Sequence, residues 1–246
     1  MSASLPRHVL PRNIHLGKHP IVASTRSKSS CSSPFANPGS TAFIGSVTSI
    51  KQLPELNGIP EVVVIGRANV GKSTFLNAIL GRRDIAHTSK KAGHTRALNY
   101  YRVGDEPGQL ALVDAPGYGS RGRREWGDLF SAYIASRQEL RRIYILFNAK
   151  HGLKETDKGM LAHLHEQCLS SHGTRFTLQS VITKADTLDD DDITRAISTI
   201  RSEIFEAAPT CLPPIITSCV MRPVFGIEKA RRNIEEVCGL VRCAGW

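Results

Sequence analysis

The sequence predicts an α/β domain built on a mostly parallel six-stranded sheet, with one antiparallel edge strand and helices on both faces. Three observations carry this. Short β-rich apolar runs recur along the chain, helix-like segments separate most of them, and one pair of runs is joined by a turn too short for a crossover. The runs are Glu61 to Ile65, Ala97 to Val103, Gln109 to Val113, Arg142 to Phe147, Thr177 to Ile182 and Pro214 to Thr217. The second and third adjoin across Gly104-Asp105-Glu106-Pro107-Gly108, which reads as a hairpin and makes the 97–103 strand the antiparallel edge. Among the helices, Ile193, Ile197, Ile200 and Ile204 share one face at helical spacing, and Asp189 to Asp192 read as the cap of that helix instead of a metal site. A closing helix carries the stripe Ile227, Ala230, Ile234, Val237 and Val241 and leaves Arg231 and Arg232 on a solvated face.

Between the first run and the helix containing Thr74-Phe75-Leu76 stands Gly66-Arg67-Ala68-Asn69-Val70-Gly71-Lys72-Ser73, a match to GxxxxGK[ST] in its strand-then-helix context. Glycines let backbone N–H groups of residues such as Val70 and Thr74 surround a triphosphate, Lys72 neutralises its outer oxygens, and the Ser73 hydroxyl is a magnesium ligand. The fold expected is therefore that of a P-loop NTPase.

Further motifs name the nucleotide. Asp114-Ala115-Pro116-Gly117 ends the third run in a DxxG pattern, with Asp114 placed to hold magnesium and the Gly117 N–H to sense a γ-phosphate. Thr183-Lys184-Ala185-Asp186 ends the fifth run and matches [NT]KxD. The Asp186 carboxylate can accept from both N1–H and the 2-amino group of guanine, a donor pair that adenine lacks, which argues against an ATPase or kinase. Lys184 would lay its methylene stem over the base, and Ser218-Cys219 after the sixth run would support the base carbonyl. The expected ligands are thus GTP or GDP with Mg²⁺.

The ends of the chain differ in character. The formal charge is +10, yet residues 1 to 54 hold six basic residues and no acid, so only +4 remains for the rest. Residues 1–41 are basic, rich in Ser, Pro and His, and without a long apolar run, the composition of a mitochondrial transit peptide. A basic tail with no import role stays open, because Pro6 and Pro11 interrupt the helix that importers read. The domain is expected over 42–246. Six cysteines without a CxxC pair read as buried thiols, and no stretch is long and apolar enough to span a bilayer. His163 and His165, two apart on a helix, point to different faces, and no zinc is expected.

The residues GRANVGKS, KAGHTR at 91 to 96, DAPGYG at 114 to 119, TKAD and His151-Gly152-Leu153-Lys154-Glu155-Thr156-Asp157, with Trp126 and Tyr133, resemble the EngB (YihA) GTPases of the translation-factor-related class. The resemblance implies a Ras-like G domain over about 42–246 and a role in assembly of the large ribosomal subunit, here with a mitochondrial subunit precursor and its rRNA as partners of a monomeric protein. It implies that Thr95, beside Gly93, is the switch residue that joins magnesium, with Thr88 as its rival. It also implies that Asn69 helps position K⁺, so that Lys72, Thr95 and Asn69 carry catalysis and hydrolysis is slow and potassium-stimulated. Tyr118 stands where many small GTPases place a glutamine. Departures from the family pattern are Ala68, Ala92, His94, Asn148 and Cys219. Arg121, Arg123, Arg124, Arg137, Arg141 and Arg142 form a cluster in sequence that is a candidate for rRNA phosphates.

Overall fold

A computed structural model describes residues 32–86, 97–119, 124–170 and 175–240, with the backbone alone at 124–126, 190 and 191. The strands are β1 (Ala42–Val47), β2 (Glu61–Gly66), β3 (Leu98–Val103), β4 (Leu110–Asp114), β5 (Leu140–Asn148), β6 (Thr177–Thr183) and β7 (Cys211–Ile216). The helices are α1 (Lys72–Leu80), α2 (Arg124–Ser136), α3 (Glu155–Ser170), α4 (Asp190–Ala207) and α5 (Ile227–Val237).

The strands form one sheet in the order β1-β3-β4-β2-β5-β6-β7. The sheet has seven strands, against the six expected. β1 escapes a periodicity reading because its pattern is short, carries Gly45 and Ser46, and buries only Val47 fully. Its pairing with β3 also corrects the edge: β3 runs antiparallel to both β1 and β4 and lies second in the sheet, while β1 is the edge. All other pairings are parallel. The opposite edge is β7, where Pro213 and Pro214 cost least because one side of the strand has no ladder to serve. The hairpin between β3 and β4 closes with Gln109 N–H on Val103 O at 2.9 Å.

Burial on both faces explains why β2 reads as an unbroken apolar run. Val62 and Val64 pack with Phe75, Leu76, Ile79 and the α5 residues Ile227, Ala230 and Ile234; Val63 and Ile65 pack with residues of α2, α3 and α4, among them Phe130, Leu161 and Ile200. Residues ahead of β1 belong to this packing: Phe35 is 5% exposed and joins the α1–α5 layer, so the packed chain includes residues before Ala42.

Two helix ends differ from expectation. Arg231 is not on a solvated face: its Nε and Nη2 donate to Ile79 O (2.8 Å) and Ala78 O (3.0 Å), two carbonyls of the last turn of α1, the second of which also accepts from the Gly81 N–H at 3.3 Å. Arg232 is exposed as expected. Asp189 stands at the N-cap of α4, but it is its carbonyl, not its carboxylate, that accepts, from the N–H groups of Asp192 and Ile193.

Candidate functional site

The site gathers at the carboxyl ends of β2, β4, β5, β6 and β7, where parallel strands all release their loops on one side. The loop after β2 turns through Asn69 (φ 63°) and Gly71 (φ 103°), and Gly71 is the N-cap of α1. Both dihedrals are left-handed, a region open to glycine and tolerated by asparagine, and they aim the first N–H groups of α1 into the loop. Ser73 and Thr74 follow in the first turn, half-buried and exposed respectively.

Lys72 and Asp114, predicted from separate motifs, meet here. Lys72 Nζ lies 2.6 Å from Asp114 Oδ1, with both side chains at least nine-tenths buried. Each charge compensates the other's desolvation. A cation–carboxylate pair with the Ser73 hydroxyl alongside is a hard donor set that fits a magnesium-bound triphosphate, the metal matching Asp114 and Ser73 and the phosphates matching Lys72. When bound, that group supplies a polarised phosphorus for attack by water.

The base-recognition loops are tied to the phosphate loop. Lys184 (φ 57°) donates from Nζ to Asn69 O at 3.1 Å, and the stem expected to cover a base runs beside Gly71, where a Cβ would meet Lys184 Cε at 3.6 Å. Thr183 Oγ1 lies 2.6 Å from Val70 O. Asp186 is exposed, and its Oδ1 accepts from the Ser218 hydroxyl at 2.5 Å; the same hydroxyl oxygen faces the N–H groups of Val220 and Met221. Asp186 is thereby held in one orientation with its second oxygen left for a ligand. Burial first, and the Asp186 charge second, push the Cys219 thiol up to about 11, so it stays neutral and stands in for the usual alanine. Asn148 replaces an aspartate without loss, because its Oδ1 accepts from Lys150 N (2.9 Å) and His151 N (3.3 Å) as a carboxylate would. Arg67, Ala68, Asn69, Val70, Asn148, His151 and Lys184 line a cavity of about 280 Å³ along the outer side of the loop.

Gly117 lies against this loop so closely that a Cβ on it would stand 3.0 Å from Ala68 N. Thr88, Gly93 and Thr95 lie outside the described residues. A contact not foreseen holds Ala86: Asn77 of α1 donates to Ala86 O (3.0 Å) and accepts from Ala86 N (2.9 Å). No local pattern marks such a pair; a buried asparagine on an otherwise apolar helix face was the available signal. Asp157 was noted only within a family-like string, yet it joins Arg67 and Tyr118, as described below.

The arginine cluster is corrected. Arg137 is buried, donates to Glu61 Oε2 through Nε (3.0 Å) and Nη2 (2.7 Å), and reaches Pro54 O through Nη1. Glu61 also accepts from Tyr133; burial raises its carboxyl, and Arg137 and Tyr133 oppose the rise. Arg142 is held by Thr177 Oγ1 and Asn233 Oδ1. Neither guanidinium is offered to solvent phosphates. Of the others, Arg141 donates to Gln138 O at the surface, Arg121 and Arg123 lie outside the described residues, and Arg124 is described by its backbone.

A phosphate-binding turn, a magnesium carboxylate and a purine-reading carboxylate at the carboxyl ends of the parallel strands β2, β4 and β6 define a G domain of the P-loop GTPase class. A family model described as 50S ribosome-binding GTPase matches residues 61–182. A probable GTP-binding protein EngB from Rhodospirillum rubrum is 35% identical over 184 residues, 72% of this chain and 76% of its own length. Its counterpart from Rhizobium meliloti is 34% identical over 224 residues, 86% and 97% of the two chains. Among solved structures, Era in complex with MgGDPNP and nucleotides 1506–1542 of 16S ribosomal RNA has a TM-score of 0.51 at 21% identity, over 72% of this chain and 56% of Era. Toc33 from Arabidopsis thaliana has a TM-score of 0.52 at 16% identity, over 74% and 85%. These two likenesses show the fold. The chain belongs to the EngB family of GTP-binding proteins.

Proposed function

We propose that the chain is a GTP-hydrolysing switch that acts on a precursor of the large ribosomal subunit in mitochondria. The observation that carries the nucleotide reading is Asp186 held by Ser218 at 2.5 Å, on a loop whose lysine grips the phosphate-binding turn at Asn69. A carboxylate so fixed accepts from two guanine donors and meets only repulsion or an unpaired edge with adenine. Family membership and the match to the 50S ribosome-binding GTPase model support the ribosomal role; the basic, acid-free segment 1–41 supports the mitochondrial address.

Hydrolysis is slow in this reading, because the residue after Gly117 is Tyr118, whose hydroxyl is engaged by Asp157 at 2.9 Å and whose ring is 5% exposed. No amide is offered there to orient water. Asn69, exposed at the outer side of the loop, is the residue through which K⁺ would stabilise developing charge. Faster single-turnover hydrolysis in potassium than in sodium is expected; equal rates overturn the potassium role. Arg121, Arg123 and Arg124 remain the candidates for rRNA. Changing the three to Ala should weaken co-sedimentation with large-subunit particles at moderate salt, and unchanged co-sedimentation removes that contact.

The engagement of Tyr118 also favours a second reading, a GTP-dependent checkpoint that binds the particle and for which hydrolysis is not essential. A nonhydrolysable GTP analogue separates the two: arrested release from the particle supports the switch, and normal release supports the checkpoint. The compartment is tested by import of a reporter carrying residues 1–41 into isolated mitochondria. The partner is tested by sequencing RNA crosslinked to the protein inside the organelle.

A further inference from the structure

Asp157 sits in the first turn of α3 with its carboxylate fully buried, and three elements meet on it. Its Oδ2 accepts from the Lys154 N–H at 2.8 Å, a box that caps its own helix. Arg67, the second residue of the phosphate-binding turn, brings Nε to 2.8 Å from Oδ2 and 3.0 Å from Oδ1. Tyr118, directly after the DxxG motif, donates its hydroxyl to Oδ1 at 2.9 Å. Capping needs only the first contact, and charge compensation only the second. The third comes from a different loop and serves neither purpose.

What the third contact does is visible on the backbone in front of it. Tyr118 N–H donates to Gly66 O at 3.3 Å, and Arg67 and Tyr118 form a parallel bridge. Gly117 is pressed on Ala68 backbone to backbone, where a Cβ would be crowded at 3.0 Å from Ala68 N and 3.2 Å from its Cα. The two segments expected to face a γ-phosphate from opposite sides are thus laid side by side and tied together behind by one carboxylate. Burial, reinforced by the neighbouring carboxylate, keeps the Tyr118 phenol protonated, so it remains the donor.

We infer that Asp157 is a positioning residue that clamps Tyr118 to Arg67 and thereby sets the Gly117 N–H in register for the γ-phosphate. The inference rests on the GTP reading above. It assigns to this chain a determinant of the ratio of GTP to GDP affinity that lies behind the site and touches no ligand. GDP has no γ-phosphate, so its affinity is indifferent to the register of Gly117.

The test is direct binding of GDP and of a nonhydrolysable GTP analogue, by calorimetry on the full chain, with Tyr118→Phe and Asp157→Ala. Tyr118→Phe deletes one hydroxyl and leaves the ring in place. It is expected to weaken the GTP analogue about fivefold, the order of one hydrogen bond, and to leave GDP within about twofold. Asp157→Ala, which leaves no acceptor for the Tyr118 hydroxyl, is expected to lower the same ratio at least as far, and adding Tyr118→Phe to it should lower the ratio no further, since both cut one contact. Equal losses for the two nucleotides, or an unchanged ratio in Tyr118→Phe, overturn the clamp and reduce Asp157 to a structural residue. If the unmodified chain takes neither nucleotide, the GTP reading itself falls and the clamp with it.

Discussion

Two aspartates of this site look alike in the sequence and differ in what surrounds them. Asp114 is buried against Lys72, so deleting the lysine leaves a carboxylate with no counter-charge in a place water does not reach. Lys72→Ala is expected to cost the nucleotide-free domain about 3 kcal/mol in urea unfolding as well as its nucleotide affinity. Asp186 is exposed and held by a hydroxyl that an amide oxygen satisfies equally well. Asp186→Asn is therefore expected to leave unfolding within about 0.5 kcal/mol and to weaken GTP by about a hundredfold, read by the same calorimetry. Comparable stability losses in the two variants contradict this division. The identities of Lys72, Asp114 and Asp186 were legible because phosphate, magnesium and guanine each demand a particular functional group at a strand end. Arg67, Tyr118 and Arg231 were not, because their partners lie far away in sequence, Asp157 for the first two and the end of α1 for the third.

Elements follow the same division. β2 and α1 were legible because an unbroken apolar run leads into a glycine-rich turn and a helix-like segment follows it. The edge strand β1 was not, because half its residues face solvent and its six residues show neither strict alternation nor a long apolar run. α2 shows how a tertiary contact takes over residues that composition assigns elsewhere. Arg137, one residue beyond its end, reads as one of a surface series of arginines but is drawn inward by Glu61 at the start of β2, which has no other cation within reach in the described contacts. That pair ties the carboxyl end of α2 to the start of β2. Arg137→Met should destabilise the domain by about 3 kcal/mol by leaving Glu61 buried and unpaired. Adding Glu61→Gln should restore part of that loss, and additive losses in thermal or urea unfolding would show that the two side chains act independently.

For the molecule as a whole, a basic composition rich in Ser, Pro and His without a long apolar run suggested a division at residue 41, whereas packing reaches further toward the amino terminus. Phe35 fills a place between α1 and α5, the Arg231 guanidinium lies 5.7 Å from its ring centroid, Ser33 bonds Glu235, and Arg82 donates to Pro38 O at 3.2 Å. Charge could not reveal this, because the packed residues are neutral and the signal is one aromatic ring in a polar stretch. Burying that ring stabilises the domain by about 2 kcal/mol on apolar area alone. A chain spanning 32–246 is therefore expected to exceed one spanning 42–246 by about 2 kcal/mol in urea unfolding, and Phe35→Ala in the longer chain should reproduce most of the difference. The nucleotide site lies at the carboxyl ends of the strands, away from these contacts, so the ratio of GTP-analogue to GDP affinity should be the same in both chains. A ratio that shifts with the truncation would mean that the α1–α5 layer reports to the site through α1, whose first turn carries Lys72 and Ser73 and whose last turn is capped by Arg231.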